Sequence, residues 1–140
     1  MVYADSSVFV SLYVQDQHSD EVRAGIASGP SLWFTPLHRA EWTRAIEQHV
    51  FRRHLSSDTA RKVYADFALG VRRGIWLETD VPEAAFDTAV ELAREHVARI
   101  GTRTLDTLHV ACTMELKAER FRTFDERQRK LARTARLRTG

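Results

Sequence analysis

Four short runs that are typical of strands, separated by longer helical patterns, constrain the fold of this chain more than any other feature. The runs are Val2–Asp5, Leu32–Thr35, Ile75–Glu78 and Arg120–Phe124. Between them, apolar residues recur every three or four positions, which is the spacing of an amphipathic helix. Strands separated by helices pair in parallel and are covered by helices on both faces. The sequence therefore predicts a three-layer α/β/α fold with a central parallel sheet of four to five strands, the fifth a short edge strand over Ala135–Thr139.

Polar caps, prolines and glycines mark the helix ends. Seven helices are predicted, and the first of them begins at Ser6. The other six span His18–Ile26, Leu37–Leu55, Thr59–Arg72, Val81 to near Gly101, Thr104–Lys117 and Asp125–Thr134. The fifth of these carries an apolar stripe that includes Phe86 and Val90. No repeat or linker divides the chain, so we expect a single domain over residues 1–140.

Composition places the chain among globular proteins without a membrane span. Apolar residues make up 44% and charged residues 29% of the 140 positions, which is ordinary for a soluble domain. No apolar run approaches the roughly 18 residues of a membrane span, and the N-terminus lacks a signal-peptide pattern. The lone Cys112 excludes an internal disulfide and lies in an apolar run, where a buried, inert thiol is expected. We therefore expect a cytoplasmic protein.

Positive charge is concentrated at the C-terminal end. The formal net charge is only +2. The segment from Arg120 onward nevertheless contains eight Lys and Arg residues and only two acids, Asp125 and Glu126. Such a strip is either a solvated helix face or a surface that binds phosphates. Arg39 and Arg44 are two further candidates for contact with a phosphate backbone.

Four acids occupy positions that a parallel sheet brings to one edge. Asp5 and Asp125 lie where a strand meets a helix, whereas Glu41 and Asp106 lie early in helices. Ligands bind at the carboxyl ends of the strands in such sheets. Carboxylate oxygens suit a hard divalent cation, and no His and Cys set with zinc spacing is present.

Each acid also has a structural interpretation. Asp5 and Asp125 are favoured helix N-caps, and Asp125 with Gln128 matches a capping box. Glu41 on a helix is typical of a solvated residue. Asp106 is harder to explain this way, because a charge among apolar residues needs a partner. His109, one turn after Asp106, is expected to be a packed histidine rather than a ligand.

The order and spacing of these residues resemble those of the PIN-domain ribonucleases, and within them the VapC-type toxins of type II toxin–antitoxin systems. The segments that carry the resemblance are Tyr3–Val8, Ala40-Glu41, Leu105–Ala111 and Thr123–Gln128. The match extends over nearly the whole chain. It implies an endoribonuclease that uses Mg²⁺ or Mn²⁺, is inhibited by a cognate antitoxin and forms a homodimer or a toxin–antitoxin hetero-oligomer.

The resemblance also implies roles for individual residues. Asp5, Asp106 and Asp125 are expected to bind the metal, and Glu41 completes the catalytic set. Ser7 and Thr123 are expected to support the acids through their hydroxyl groups, with Ser6 as the alternative to Ser7. Because water rather than a ribose hydroxyl attacks, the products are expected to carry a 5′-phosphate and a 3′-hydroxyl.

Two other functions are compatible with an α/β fold. One is a catalytically silent PIN-fold domain that binds RNA or protein, although such a relative is expected to have lost one of the acids. The other is an aspartyl-phosphate phosphatase or receiver domain. The phosphatase reading needs a second Asp where this chain has Ser7, and the receiver reading needs a Lys that Phe121–Phe124 does not provide.

Overall fold

A computed structural model describes residues 1–27 and 29–140. The strands are β1 (Val2–Ala4), β2 (Leu32–Phe34), β3 (Trp76–Glu78) and β4 (Arg120–Arg122). The helices are α1 (Ser6–Tyr13), α2 (Ser19–Ala27), α3 (Pro36–Phe51), α4 (Ser57–Arg72), α5 (Ala84–Leu92), a π-helical turn (Ala93–Val97), α6 (Ala98–Ile100), α7 (Thr104–Glu115) and α8 (Glu126–Thr134). The strands form one sheet in the order β3-β2-β1-β4, with β1 parallel to β4 and β2 parallel to β3. The predicted α/β class and its central parallel sheet, flanked by helices, are confirmed.

The predicted fifth strand is reduced to a single parallel bridge between Phe121 and Thr139. The Phe121 N–H donates to the Arg138 carbonyl at 2.8 Å, and the Gly140 N–H donates to the Phe121 carbonyl at 3.2 Å. Arg136 has a positive φ of 62°. This left-handed turn interrupts the extended backbone that a longer strand would need.

Left-handed residues also explain where the helices end. The third helix was predicted to reach Leu55 but ends at Phe51, because Arg53 adopts φ 58°. The helical stretch that begins at Ala84 ends as predicted at Gly101, whose φ of 75° suits a residue without a side chain. Before that end, a π-helical turn over Ala93–Val97 interrupts the α-helical pattern.

The described residues form two compact units. The first unit comprises Met1–Asp5 and Asp80–Gly140, and the second comprises Ser6–Thr79. A buried aromatic cluster forms the core of the second unit. Phe67 lies 4.6 Å from Phe34 and 4.7 Å from Trp42, measured between ring centroids. The Trp76 indole N–H donates to the Tyr13 hydroxyl at 3.0 Å, and burial raises the pKa of Tyr13 to about 12. Trp42 and Trp76 are both buried in this core.

The core of the first unit is built from the strand pair and α7. Tyr3, Phe121 and Val110 are fully buried. Cys112 is buried as well, and this burial raises the pKa of its thiol. Because the thiolate is the reactive form, the predicted inert cysteine is confirmed.

Helix α5 buries small and aliphatic side chains rather than its largest one. Ala85 and Leu92 are buried, whereas Phe86 and Val90 are 55% and 52% exposed. The Thr88 hydroxyl, on the turn between the two buried residues, donates to Glu115 of α7 at 2.6 Å. The Phe86–Val90 side of the apolar stripe therefore lies outward. Among the described residues, no helix is both long enough and apolar enough to cross a membrane.

Replacing Gly70 by Ala is expected to destabilise the protein, although Gly to Ala within a helix ordinarily stabilises it by about 0.5–1 kcal/mol. A Cβ at position 70 of α4 would lie 2.8 Å from Trp76 Cδ1 and closer still to Nε1. Overpacking of this kind costs about 1–3 kcal/mol. Urea denaturation measures the change in the free energy of unfolding.

Ala65→Gly, at an exposed position of the same helix, is the matched control. It should cost about 1 kcal/mol through helix propensity alone. A Gly70→Ala protein that is more stable than the wild type would contradict the close packing of α4 on Trp76.

Candidate functional site

Asp5 lies directly after β1 and is held by the strand pairing. Its N–H donates to the Arg122 carbonyl at 2.9 Å, which continues the β1–β4 ladder by one bond. The residue is only 8% exposed. A nearly buried carboxylate at the carboxyl end of a strand is in the position that such sheets use for ligands.

Asp106 lies in the first turn of α7. Its carboxylate accepts from the Arg103 backbone N–H at 3.2 Å and from Arg103 Nε at 2.9 Å. The Asp106 side chain is 16% exposed and that of Arg103 is 82% exposed. The charge among apolar residues that stood out in the sequence therefore has a partner, and it also caps the start of its helix.

Asp125 is the N-cap of α8, as the sequence predicted. Its Oδ1 accepts from the Gln128 backbone N–H at 2.9 Å. The reciprocal half of the predicted capping box is wrong. The Asp125 N–H donates instead to the Thr123 hydroxyl at 3.0 Å, and the Gln128 side chain points elsewhere.

Thr123 and Gln128 connect the segments that carry the three acids. Both side chains are buried. Thr123 Oγ1 lies 2.5 Å from Gln128 Oε1 and 3.3 Å from Asp5 Oδ2. Gln128 Nε2 donates to the Asp106 backbone carbonyl at 3.2 Å. The first unit thus brings together the end of β1, the start of α7 and the start of α8.

The role of the Gln128 side chain was not predicted from the sequence. A signal for it was present, because Gln128 shares the inner face of α8 with the buried Leu131 and Ala132. A polar residue on an apolar helix face requires hydrogen-bond partners. No local pattern identifies the Asp106 carbonyl as one of those partners.

Glu41 belongs to the second unit, on α3. The Ser6 hydroxyl donates to Glu41 Oε2 at 2.6 Å. Ser6, the alternative to Ser7, is thus the serine seen to bind Glu41, and Ser7 is exposed. The support predicted for Ser7 stays a prediction.

The two arginines that flank Glu41 differ in their surroundings. Arg39 forms an ion pair with Glu78 and lies 5.8 Å from the centre of the Phe34 ring. Arg44 is exposed. Their proposed contact with substrate stays a prediction. His109 is buried, and its Nδ1 lies 3.0 Å from the Tyr3 hydroxyl, which confirms a packed histidine.

The oxygen donors of the first unit fit a hard divalent cation better than a soft one. Asp5, Asp106 and Asp125 provide carboxylates, as Mg²⁺ and Mn²⁺ prefer. Over residues 1–27 and 29–140, no three His, Cys, Asp or Glu side chains are assembled as a ready-made metal cage. The carboxylates of Asp106 and Asp125 instead hold N–H groups of the protein. The donor chemistry fits, and ligation requires these carboxylates to exchange partners.

The chain was compared with protein-family models and with curated proteins. A family model described as PIN domain matches residues 2–134. No curated protein matches the chain in sequence.

Solved structures resemble the chain at low sequence identity. VapC20 of Mycobacterium tuberculosis, described as a toxin that cleaves the sarcin–ricin loop, is 15% identical with a TM-score of 0.69, over 93% of this chain and 94% of its own. FitAcB of Neisseria gonorrhoeae is 13% identical with a TM-score of 0.74, over 99% and 96%. VapBC2 of Rickettsia felis, solved with a DNA fragment from its promoter, is 13% identical with a TM-score of 0.66, over 100% and 98%. At these identities the likeness establishes the fold.

Substitutions at Asp125 separate helix capping from any other role of its carboxylate. Asp125→Ala should lower the free energy of unfolding by about 1 kcal/mol, because the Gln128 N–H loses its acceptor. Asp125→Asn should change it little, since Asn is an equally good N-cap. Thermal or urea denaturation in the absence of divalent cations measures both. Equal destabilisation by the two variants would contradict the capping geometry.

Proposed function

This chain belongs to the PIN domain family, and from that premise we propose that it is a metal-dependent endoribonuclease, the toxin of a toxin–antitoxin pair. The observation that carries the proposal is the hydrogen-bond network of the first unit. Through Thr123 and Gln128 it connects the segments of Asp5, Asp106 and Asp125. One buried hydroxyl and one buried amide thus connect the end of β1, the start of α7 and the start of α8, each of which carries an acid.

Asp5, Asp106 and Asp125 are proposed to bind Mg²⁺ or Mn²⁺. When bound, such a cation activates water and stabilises the attacking and leaving oxygens of a phosphodiester. Asp5 is the most deeply buried of the three acids, so its carboxylate has the least solvent to screen its charge. The Thr123 hydroxyl accepts from the Asp125 N–H at 3.0 Å and so supports the third of these acids.

The carboxylate of Asp106 is proposed to exchange Arg103 for a cation. Arg103 is 82% exposed, so solvent screens its charge in this ion pair. A divalent cation attracts a carboxylate more strongly than a screened guanidinium does. The released Arg103 side chain would be available to an RNA phosphate next to the acids.

Glu41 is proposed as the fourth catalytic acid, the one that orients the attacking water. The Ser6 hydroxyl fixes one of its carboxylate oxygens at 2.6 Å. A carboxylate held in one rotamer keeps its other oxygen in a defined direction, which a general base or a water-orienting group requires. Ser7 remains proposed as a further supporting hydroxyl, and Arg39 and Arg44 as weak contacts to RNA.

RNA is the proposed substrate, and a cognate antitoxin is the proposed partner. VapC20, which resembles this chain in structure, is described as a toxin that cleaves the sarcin–ricin loop. The basic residues that follow Arg120 give the first unit a surface suited to an anionic backbone. We propose a cytoplasmic location for this activity.

The second candidate is a catalytically silent PIN-fold domain that binds RNA or protein. It is favoured by one observation, that the carboxylates of Asp106 and Asp125 already satisfy N–H groups of the protein. In this alternative the acids are helix caps alone, and their amide variants leave any activity unchanged.

Cleavage of a structured RNA separates these candidates. The wild type should cut in millimolar Mg²⁺ or Mn²⁺ and should stop when EDTA is added. Asp5→Asn should reduce the rate by at least about 100-fold, since even residues that only support metal ligands cost about 10–100-fold. Asp87→Asn, an exposed acid of the same unit, is the control and should cut normally. The products should carry 5′-phosphates, which allow ligation or digestion by a 5′-phosphate-dependent exonuclease.

Two serine variants extend the same assay. Ser6→Ala should slow cleavage by about 10-fold, because Glu41 loses its hydroxyl partner. Ser7→Ala measures the support proposed for the exposed serine. Cleavage that survives both EDTA and Asp5→Asn would reject the nuclease proposal.

Self-association is proposed through the surface of α3 and α4. Phe51, the last residue of α3, is 82% exposed, and aromatic residues are enriched in protein interfaces. Size-exclusion chromatography with light scattering at micromolar concentration should give about twice the chain mass of 16.1 kDa. Phe51→Ser should restore the monomer mass, whereas Phe86→Ser, an exposed apolar residue of the first unit, should not. A strictly monomeric wild type would reject the dimer.

A further inference from the structure

We propose that Gln128 is a positioning residue that holds the three acid-bearing segments of the first unit in the arrangement that a divalent cation needs. The inference deepens the proposed function and rests on it. Gln128 is not itself a ligand in this proposal. It acts through Thr123, Asp106 and Asp125, each of which it contacts by a different atom.

The geometry uses every polar group that Gln128 directs inward. Its backbone N–H donates to Asp125 Oδ1 at 2.9 Å, its Nε2 donates to the Asp106 carbonyl at 3.2 Å, and its Oε1 accepts from Thr123 at 2.5 Å. The orientation of the carboxamide is defined, because the reverse orientation would place Oε1 against the Asp106 carbonyl oxygen. One fully buried side chain therefore contacts both the start of α7 and the residue that follows β4.

The Thr123 hydroxyl has a single proton and two oxygens within reach. Gln128 Oε1 lies at 2.5 Å and Asp5 Oδ2 at 3.3 Å. The shorter bond takes the proton, and the Asp125 N–H occupies a lone pair of the same hydroxyl. Thr123 consequently gives Asp5 a weak bond at most. Gln128 therefore directs the proton of the Thr123 hydroxyl away from the Asp5 carboxylate.

Removing the carboxamide should reverse this arrangement. Without Oε1, the Thr123 hydroxyl turns to Asp5 and competes with a cation for its carboxylate. At the same time, the Asp106 carbonyl loses its donor, and the start of α7 is no longer connected to α8 by this bond. Both changes weaken cation binding without removing any ligand.

A purely structural role is the alternative, because Gln128 is fully buried and shares its helix face with Leu131. An apolar residue of similar volume would satisfy packing alone, without the desolvation of an amide. Gln128→Met therefore keeps the volume and removes the hydrogen bonds. Gln128→Asn keeps the amide but is one methylene shorter, so it cannot reach Thr123 and Asp106 together.

The experiment measures Mn²⁺ binding to the full chain without RNA, from the electron paramagnetic resonance signal of free Mn²⁺. Gln128→Met should bind Mn²⁺ about 10–100-fold more weakly than the wild type, with Gln128→Asn in between. In the RNA cleavage assay, the Mn²⁺ concentration for half-maximal rate should rise by a similar factor. Saturating Mn²⁺ should restore most of kcat.

Thr113→Val is the matched control. Thr113 is fully buried and donates to the His109 carbonyl at 2.8 Å within α7, so the variant removes a buried hydrogen bond away from the acids. It should lower the melting temperature but leave the Mn²⁺ affinity within about twofold of the wild type.

The outcomes separate this inference from the proposed function. Wild-type affinity for Mn²⁺ in Gln128→Asn and Gln128→Met would overturn the positioning role and leave the nuclease proposal standing. A loss of affinity of equal size in Thr113→Val would also overturn it, since any destabilisation would then suffice. Mn²⁺ binding that is absent from the wild type, or unchanged in Asp5→Asn, would overturn the proposed function and the positioning role with it. If Gln128→Met does not fold, Gln128→Asn decides.

Discussion

The pairing of β1 with β4 is the interaction on which the candidate site depends. Its register places Ala4 opposite Arg122, so the next residues of the two strands, Asp5 and Thr123, emerge side by side. These residues are 118 positions apart in the sequence. The strands are only three residues long, and a slip of one residue would turn each side chain to the other face of the sheet. The fully buried Tyr3 and Phe121 on this strand pair oppose such a slip, because it would move their large rings out of the core positions in which they pack.

Two acids of the first unit, Asp106 and Asp125, stabilise the fold even when no cation is bound. Asp125 caps α8, and Asp106 neutralises Arg103 and binds its N–H. Functional residues commonly lower stability, because they are charged and poorly satisfied. Here the carboxylates have protein partners of their own, and each of these bonds is worth only about 0.5–2 kcal/mol. Such bonds stabilise the cation-free protein and are weak enough to be replaced.

The sequence predicted the order of the strands and helices correctly, because apolar periodicity and capping residues are local signals. It also predicted that Asp125 caps a helix and that His109 is packed. It was wrong where tertiary contacts direct a side chain. The Gln128 side chain does not complete the capping box with Asp125, and it forms hydrogen bonds with Thr123 and the Asp106 carbonyl instead. Local patterns cannot reveal these partners, because they depend on how β4, α7 and α8 meet.

Other differences from the prediction have equally physical causes. The apolar stripe of α5 exposes Phe86 and Val90, because α5 buries Ala85 and Leu92 instead. Periodicity identifies an apolar face but does not say whether this protein or a partner covers it. The left-handed Arg53 and Arg136 end their elements early, and arginine carries no sequence signal for that backbone conformation, unlike glycine. That the four acids act together was predicted from their positions in a parallel sheet and from the family resemblance, and the cleavage and Mn²⁺ measurements test it.

The first unit separates the groups that position its acids from the groups that would bind a cation. Asp5 is fixed through its N–H by the Arg122 carbonyl, Asp106 through its own carbonyl by Gln128, and Asp125 through its N–H by Thr123. All three contacts use backbone atoms. A change of partner at a carboxylate therefore leaves the backbone anchor of that residue intact. A site built in this way can exchange N–H partners for a cation by rotating side chains, with the main chain already in place, which is the pre-organisation that metal-assisted hydrolysis requires.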